Sequence, residues 1–181
     1  ETARMISGYS RDNFELWLEL GMQTSHDRSL DFLERHHTTM DTVRAVQLAD
    51  KYSIPVCLHV ILGIPGETWN DMMETAEMIS NLPVRGIKIH HLHVIKGTRL
   101  ETIYREKKFH VFSMNEYVSM LCDFLERIRP DILVHRINAD REESTLVTPL
   151  WGLHKGSVQK AVDDEFTRRG TWQGFLGYWR I

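Results

Sequence analysis

The chain has few cysteines, few prolines and no long apolar run. Its 181 residues include 5 prolines and 2 cysteines, Cys57 and Cys122. Two thiols exclude a disulfide-rich scaffold, and they are too few to hold a structural zinc ion or an iron–sulfur cluster by themselves. No apolar segment approaches the length of a membrane span, and the first residues do not form a signal-peptide pattern. We therefore expect a cytoplasmic protein with no membrane partner, in which both cysteines are buried and reduced.

The chain also lacks an excess of charge of either sign. Its 22 Lys and Arg residues and 25 Asp and Glu residues give a net charge of −3, with 10 His residues taken as neutral. This balance excludes a protein whose whole surface attracts nucleic acid, although it leaves room for a local basic patch. An apolar content of 42% and a charged content of 26% are typical of globular proteins. The length fits one domain, or one domain with a small appendage.

The hydrophobic periodicity predicts strands that alternate with helices. Strands are predicted over 14–22, 54–62, 86–95 and 131–138. Helices are predicted over 26–36, 40–51, 69–82, 98–108, 113–128 and 156–169. Ser25 and Thr68 precede two of these helices and are expected to cap them. The pattern predicts an α/β fold with a parallel sheet, in which the first three strands are neighbours in chain order with helices on one outer face. Three strand–helix units are too few to close an eight-stranded barrel, so we expect half of a barrel or a small open sheet.

Polar or flexible residues follow the first three predicted strands, where ligands of parallel sheets bind. The amide of Gln23 is suited to a pair of sugar hydroxyls, and Arg35, twelve residues later, is suited to a carboxylate. The turn Gly63–Gly66 lets a flat ring approach the backbone. Each feature also has a structural interpretation: Gln23 as a loop anchor, Arg35 as a charge at a helix end, and the glycines as a tight turn.

Histidines cluster at the end of the third strand. In an extended strand His91 and His93 share a face, and with His59 they would supply the ligands of a metal site. Hydrogen-bonded or ligand-lining histidines are the commoner arrangement, so we predict no metal site. A metal hydrolase that uses these three histidines stays open as an alternative.

The segments at the ends of the first three predicted strands, in this order and spacing, resemble the second half of a radical S-adenosylmethionine (SAM) domain. The resemblance rests on ELGMQT, LERHHT, HVILGIPGET and KIHHLHVIKGTRL, while HRINADR with PLW and a later lysine resembles the C-terminal extension. It points to the YhcC-type proteins, which are related to the Elongator catalytic subunit and to oxygen-independent coproporphyrinogen dehydrogenase. The resemblance implies strands four to six of a partial (βα)6 TIM-like barrel at 14–110, an α/β extension at 111–171 and a tail at 172–181.

The resemblance also implies a SAM site. It assigns Gln23 to the SAM ribose and Arg35 to the methionine carboxylate. Glu19 stands where the family's ELGxQ motif has its acid, and His59 stands where some members carry a ribose-binding aspartate. The residues that the resemblance places against adenine are Ile61, Gly63, Val94 and Ile95. The residues that it places on the substrate side are His135, Arg136, Trp151 and Lys155.

The chain departs from the family pattern in one severe respect. The family's three cluster-binding cysteines and the glycine-rich segment of its second strand have no counterpart here. The resemblance therefore implies that this chain, which begins at Glu1 rather than Met, is the C-terminal half of a larger enzyme. In that enzyme a [4Fe–4S] cluster would cleave SAM reductively to a 5′-deoxyadenosyl radical, and this chain alone would be inactive.

Two kinds of partner besides SAM follow from the sequence. An RNA-docking face is the second function considered, because basic residues are frequent after residue 126, although acidic residues interleave with them. The basic residues concerned are Arg127, Arg129, Arg136, Arg141, Lys155, Lys160, Arg168 and Arg169. Half of a barrel also leaves a sheet edge and an inner face uncovered, so we expect self-association. The sequence does not identify the substrate.

Overall fold

The structure, a computed structural model, describes residues 2–8, 16–138, 142–151 and 155–177. Its strands are β1 (Leu18–Gln23), β2 (Val56–Leu62), β3 (Gly86–His91), β4 (Val94–Ile95), β5 (Leu133–Arg136) and β6 (Leu146–Thr148). Its helices are α1 (Thr2–Ser7), α2 (Asp27–Phe32), α3 (Thr39–Lys51), α4 (Trp69–Ser80), α5 (Arg99–Arg105), α6 (Met114–Leu125) and α7 (Lys155–Arg169). No helix within these ranges is long and apolar enough to cross a membrane.

Four strands form one parallel sheet in the order β1-β2-β3-β5. The predicted α/β class and the neighbourhood of the first three strands are thereby confirmed, and the fourth strand pairs with β3. The described part of the first strand begins at Leu18, and Phe14 of the predicted strand lies outside the described residues.

The prediction of one continuous strand over 86–95 is wrong. β3 ends at His91, and the Leu92 N–H donates to the carbonyl of Leu62, the last residue of β2. Because β2 offers no further partner beyond that point, the chain leaves the sheet. Val94 and Ile95 form β4, which pairs antiparallel with β6 in a second, two-stranded sheet.

Helices cover one face of the four-stranded sheet. Side chains alternate across a strand, so Val56, Leu58, Val60 and Leu62 of β2 point to the same side, and all four are at most 1% exposed. They pack in one core with apolar residues of α3, α4, α6 and α7. The helix residues that contribute include Val46, Ala49, Met72, Ala76, Ile79, Val118, Leu121, Val158 and Val162.

Both cysteines are free and buried, as predicted. Burial raises the pKa of the Cys57 thiol to about 11 and that of the Cys122 thiol to about 12. Both side chains therefore stay protonated at neutral pH, and neither has the thiolate character that metal ligation or nucleophilic attack requires.

The two predicted helix caps have different outcomes. Thr68 caps α4: its hydroxyl accepts from the Asp71 N–H at 3.3 Å, and the Asp71 carboxylate accepts from the Thr68 N–H at 2.6 Å. The prediction for Ser25 is wrong, because α2 begins after His26, which makes no side-chain cap. The Ser25 hydroxyl instead lies 2.9 Å from the Thr75 hydroxyl and connects the end of β1 to α4.

The last described segment packs on the end of α6. The Gly174 N–H donates to the Leu125 carbonyl at 3.0 Å, and the Leu176 N–H donates to the Glu126 carbonyl at 2.9 Å. The Gln173 amide donates to the carbonyls of Arg129 and Ile132. The carbonyls of Leu125 and Arg129 also accept from the N–H groups of Ile128 and Ile132, so these bonds add to the turn that follows α6 and tie the segment to it.

A close contact over Gly86 gives the first testable prediction. The rings of Trp17 and His135 meet edge to face above it, and a Cβ at Gly86 would lie 2.6 Å from His135 Nε2 and 2.9 Å from Trp17 Cζ3. We expect Gly86→Ala to lower the free energy of unfolding by about 1–3 kcal/mol, because the added carbon displaces both rings. Urea unfolding followed by circular dichroism measures the change.

Gly156→Ala is the matched control, since a Cβ there meets nothing within 4 Å. In α7 the alanine should be neutral or stabilising by up to about 1 kcal/mol. Equal unfolding midpoints for the two variants would contradict this prediction. They would show that the Trp17 and His135 rings can move aside without lowering the free energy of unfolding.

Candidate functional site

The sheet face opposite the helices carries charged and histidine side chains. The Glu19 carboxylate accepts hydrogen bonds from Lys88 Nζ at 2.5 and 2.6 Å and from His59 Nε2 at 2.7 Å. These three residues come from β1, β3 and β2, and His59 is directly paired with Lys88. The hydrogen bonds from Lys88 and His59 hold the pKa of Glu19 below its usual value. We call Glu19, His59 and Lys88 the inner-face triad.

His90 extends this group along β3. Its ring centroid lies 5.6 Å from that of His59. Burial, and then the nearby positive charges of His59 and Arg136, lower the pKa of His90 to about 4, so its imidazole is neutral at pH 7. Sequence reasoning missed Lys88, although its place two residues before His90 puts both on the face of His59.

Gln23 and Arg35 converge over Gly21 at the end of β1. The register of β1 with β2 slips between Leu20 and Gln23, and Gln23 has a φ of 66°. A Cβ at Gly21 would lie 2.5 Å from Gln23 Nε2 and 3.0 Å from Arg35 Nη2. Neither polar side chain has a hydrogen-bond partner among the described residues. The absence of a side chain at Gly21 therefore leaves room for an amide and a guanidinium to lie together with N–H donors available to a ligand.

A cleft of about 220 Å³ adjoins this pair. Leu20, Gly21 and Arg35 line one side of it. The other side is lined by His37, Asp41, Thr42 and Ala45, from the segment that leads into α3 and its first two turns. Arg35 lies three residues beyond the end of α2 rather than in its last turn, which places its side chain at the cleft.

The turn after β2 is covered by the C-terminal extension. Gly63 has a φ of 88°, and a Cβ there would lie 3.1 Å from the Phe112 ring. The Trp151 indole N–H donates to the Phe112 carbonyl at 2.9 Å, and its ring lies 4.4 Å from that of His91. The ring that lies next to the Gly63 backbone in this structure is that of Phe112.

The predicted adenine contacts and substrate-side residues do not all lie together. Ile61 lies half-buried on the inner face, whereas the fully buried Val94 belongs with Ile95 to the small second sheet. His135 packs on Trp17, and both His135 and Arg136 line a separate cleft at the end of β5. Trp151 is a packing residue of the extension, and the Lys155 side chain lies outside what the structure describes.

The structure does not assemble the three-histidine metal site. His59 lies on the inner face beside His90, whereas His91 points to the helix-covered side and is 3% exposed. His91 Nε2 instead lies 2.7 Å from His93 Nε2. The physical reason is strand parity: His59 is paired with Lys88, so the next β3 residue on its face is His90.

One other cluster among the described residues has the composition of a metal site. It consists of His26, Asp71 and Glu74. Arg28 Nη2 already binds the Asp71 carboxylate at 2.6 Å, and the same carboxylate accepts from the Thr68 N–H in the α4 cap. These contacts explain the cluster without an ion.

The predicted basic face is largely neutralised within the chain. Arg169 binds Asp123 at 2.6 Å and Glu165 at 2.7 Å, and Arg129 binds Asp131 at 2.8 Å. Arg168 and Lys160 are also paired with carboxylates, and Arg127 lies over the Trp69 ring. Arg141 lies outside the described residues. In α7 the paired acids lie three or four residues away on the same helix or on the facing α6, and Asp131 follows Arg129 by two residues, so most of these charges do not form a free surface.

Two family models match the chain. The radical SAM superfamily model matches residues 11–79, and the radical SAM C-terminal domain model matches residues 84–168. Together they account for most of the sequence. Members of this superfamily use SAM and a [4Fe–4S] cluster.

Several curated proteins are similar to the chain. Uncharacterized protein MJ0486 of Methanocaldococcus jannaschii is 38% identical over 175 residues, which are 96% of this chain and 54% of that protein. Protein YhcC of Escherichia coli K12 is 30% identical over 173 residues, 96% of this chain and 56% of that protein. A tRNA uridine(34) acetyltransferase of Methanocaldococcus jannaschii is 26% identical over 157 residues, 84% of this chain and 28% of that protein. The chain thus spans about half the length of MJ0486 and YhcC.

A solved structure has the same fold. The archaeal Elp3 of Methanocaldococcus infernus with an N-terminal deletion superposes with a TM-score of 0.76 at 23% sequence identity. The match covers 87% of this chain and 37% of that one. It confirms the predicted α/β fold and shows that the same fold occurs as part of a longer chain.

The inner-face triad gives a prediction about acid stability. A carboxyl group whose pKa is lowered on folding stabilises the folded state above its unfolded pKa of about 4.3, and this contribution is lost as the pH falls through the folded pKa. We expect Glu19→Gln to lower the urea midpoint at pH 7, with a difference that shrinks as the pH falls below about 4. The Glu19 side chain is 46% exposed, so solvent screening keeps the effect below about 1 kcal/mol.

Glu77→Gln on the exposed side of α4 is the control for general acid effects. Urea midpoints are measured for both variants and the unchanged chain from pH 3 to pH 7. A difference for Glu19→Gln that does not depend on pH would contradict an ionised, hydrogen-bonded Glu19.

Proposed function

The chain belongs to the radical SAM superfamily, and we propose that it supplies half of a SAM-binding barrel in a radical SAM enzyme. In this proposal the chain contributes the ribose, carboxylate and adenine contacts of SAM together with surface on the substrate side. Bound SAM and a [4Fe–4S] cluster supply the enzyme with a carbon radical by reductive cleavage of SAM. The residues of this chain bind and orient SAM and keep water from it.

The observation that carries the proposal is the convergence of Gln23 and Arg35 over Gly21. A guanidinium binds a carboxylate through two parallel N–H donors, and an amide binds a pair of hydroxyls as donor and acceptor. Both side chains lie at the carboxyl end of β1, where parallel sheets bind ligands, and neither has a partner among the described residues. The amino-acid moiety and the ribose of SAM present these two groups.

The inner-face triad lies farther from the carboxyl ends of the strands than Gln23 does. Because Glu19 already accepts from both Lys88 and His59, we propose that His59 lines the SAM site and that Gln23 is the main ribose contact. Adenine would then lie against Ile61 and the Gly63 turn, with the Phe112 ring at its edge. In this proposal Val94 and Ile95 contact adenine from the two-stranded sheet of β4 and β6.

The cluster does not fit this chain. Its cysteines are the buried Cys57 and Cys122, whose thiols have raised pKa values. We therefore propose that the cluster ligands lie in another part of the enzyme and that this chain alone is inactive. The outer edge of β1 has no strand partner among the described residues, which leaves it open to the rest of the barrel or to a second copy of the chain.

The test measures SAM affinity in a protein that joins this chain to a cluster-binding half of the barrel. We expect Gln23→Ala and Arg35→Ala each to weaken SAM binding by about 1–3 kcal/mol, because each removes polar contacts to a charged or buried group. Equilibrium binding with labelled SAM and release of 5′-deoxyadenosine are the measurements. His59→Ala should weaken binding less than Gln23→Ala.

Matched controls come from the exposed side of α3. Gln47→Ala and Arg44→Ala remove the same side-chain types from exposed positions and should leave SAM affinity unchanged. Residues 1–181 alone, after reconstitution with iron, sulfide and reductant, should show neither iron–sulfur absorbance nor SAM cleavage. Turnover by the short chain would overturn the proposal. Affinities of Gln23→Ala and Arg35→Ala equal to those of the controls Gln47→Ala and Arg44→Ala would also overturn it.

RNA is a second candidate partner because a tRNA uridine(34) acetyltransferase is among the similar proteins. The neutralised basic residues argue against binding through α7, where Arg168 and Arg169 are both ion-paired. If RNA binds the enzyme, we expect contacts elsewhere and an affinity that falls steeply with salt.

A gel shift with tRNA at 50 and 200 mM salt tests this candidate. Arg168→Gln should leave the shift unchanged, since that side chain is paired with Glu165. A loss of binding in this variant would restore the basic face as the RNA site.

A further inference from the structure

Arg136 has no counter-charge among the described residues. It ends β5, at the opposite edge of the sheet from Gln23, and is paired with Lys88 of β3. Other described cations of the C-terminal part differ from it: Arg129 binds Asp131 at 2.8 Å, and Arg169 binds Asp123 at 2.6 Å. The guanidinium of Arg136 is exposed and next to a lysine in the sheet, and it has no carboxylate partner in the described structure. This edge of the sheet therefore carries positive charge that no described carboxylate offsets.

Arg136 borders a cleft of about 410 Å³. The cleft is lined by His135, Arg136, Ile137 and Asn138 at the end of β5 and by Gly156 and Gln159 of α7. A Cβ at Gly156 would point into open space, so the first turn of α7 leaves the cleft accessible. This volume lies in the range of small-molecule sites. The lining includes four polar side chains, those of His135, Arg136, Asn138 and Gln159.

The charges of the inner face add to this positive charge. His59, Arg136 and Lys88 all act on the neutral His90 as positive neighbours. Glu19, the carboxylate that faces them among the described residues, is already bound by Lys88 and His59. Arg136 is therefore left as the inner-face cation with donors available, and an anion bound to it would offset part of the positive charge that lowers the pKa of His90.

We propose that this cleft binds a small anionic group of the substrate, a phosphate or a carboxylate, with Arg136 as the principal contact. The assignment of the anion to a substrate rests on the proposed function. The binding itself depends only on residues of this chain, so it is tested without SAM.

The experiment uses NMR of residues 1–181 with labelled histidine and arginine side chains. Pyrophosphate and citrate are titrated separately, because they present the two anion chemistries. We expect one of them to shift the Arg136 and His135 signals saturably and to raise the pKa of His90. Arg136→Gln should weaken this binding at least tenfold, and Arg136→Lys should retain part of it.

The control is Arg44→Gln, which removes an exposed guanidinium on α3 and should not change the titration. The buried His91 signal, unchanged in Arg136→Gln, shows that the variant keeps its fold. Equal affinity in Arg136→Gln and Arg44→Gln overturns the proposal, as does binding of an RNA oligonucleotide but of neither small anion. Shifts at Arg35 instead of Arg136 also overturn it and place the anion at the candidate SAM site. Failure of the SAM experiment with Gln23 and Arg35 leaves the titration unaffected.

Discussion

The alternation of side chains across one parallel sheet is the constraint on which the rest of the structure depends. Residues of one parity in β2, such as Leu58 and Val60, enter the core under the helices. Residues of the other parity, such as His59, lie on the open face, where His59 contacts Glu19 and is paired with Lys88. A one-residue slip of β2 would exchange the two sets and bury the histidine while exposing the core, so the register is held by the free energy of burial.

The end of β1 departs from this regular pattern in a way that serves ligand binding. The slip of register before Gln23 and its positive φ turn the amide back over Gly21. A bulge at the end of a strand re-aims a side chain, and a left-handed non-glycine residue is a local strain that the surrounding pairing must support. Gly21 is the position that makes this geometry sterically feasible, because any larger residue would occupy the place of the amide.

The C-terminal extension completes the core and covers the ends of β2 and β3. The fully buried Tyr117 of α6 donates its hydroxyl to the Ile137 carbonyl, and burial raises its pKa far above the usual value. Trp151 stacks on His91 and holds the Phe112 carbonyl, and Phe112 in turn packs on Gly63. Trp151, which the resemblance assigns to the substrate side, thus has packing contacts here, and it positions the Phe112 ring at the Gly63 turn.

The sequence by itself determined the alternation of strands and helices as far as β3, the parallel arrangement of β1, β2 and β3, and the family, because these depend on local periodicity and on motif order. It also identified Gln23 and Arg35 as a pair of candidates. Only the tertiary structure decided that β4 leaves the sheet, that His91 and His59 lie on opposite faces, and that Glu165 and Asp123 neutralise Arg169. The physical reason is that these outcomes depend on where a neighbouring strand ends, on the pairing register and on charges brought together from distant parts of the chain.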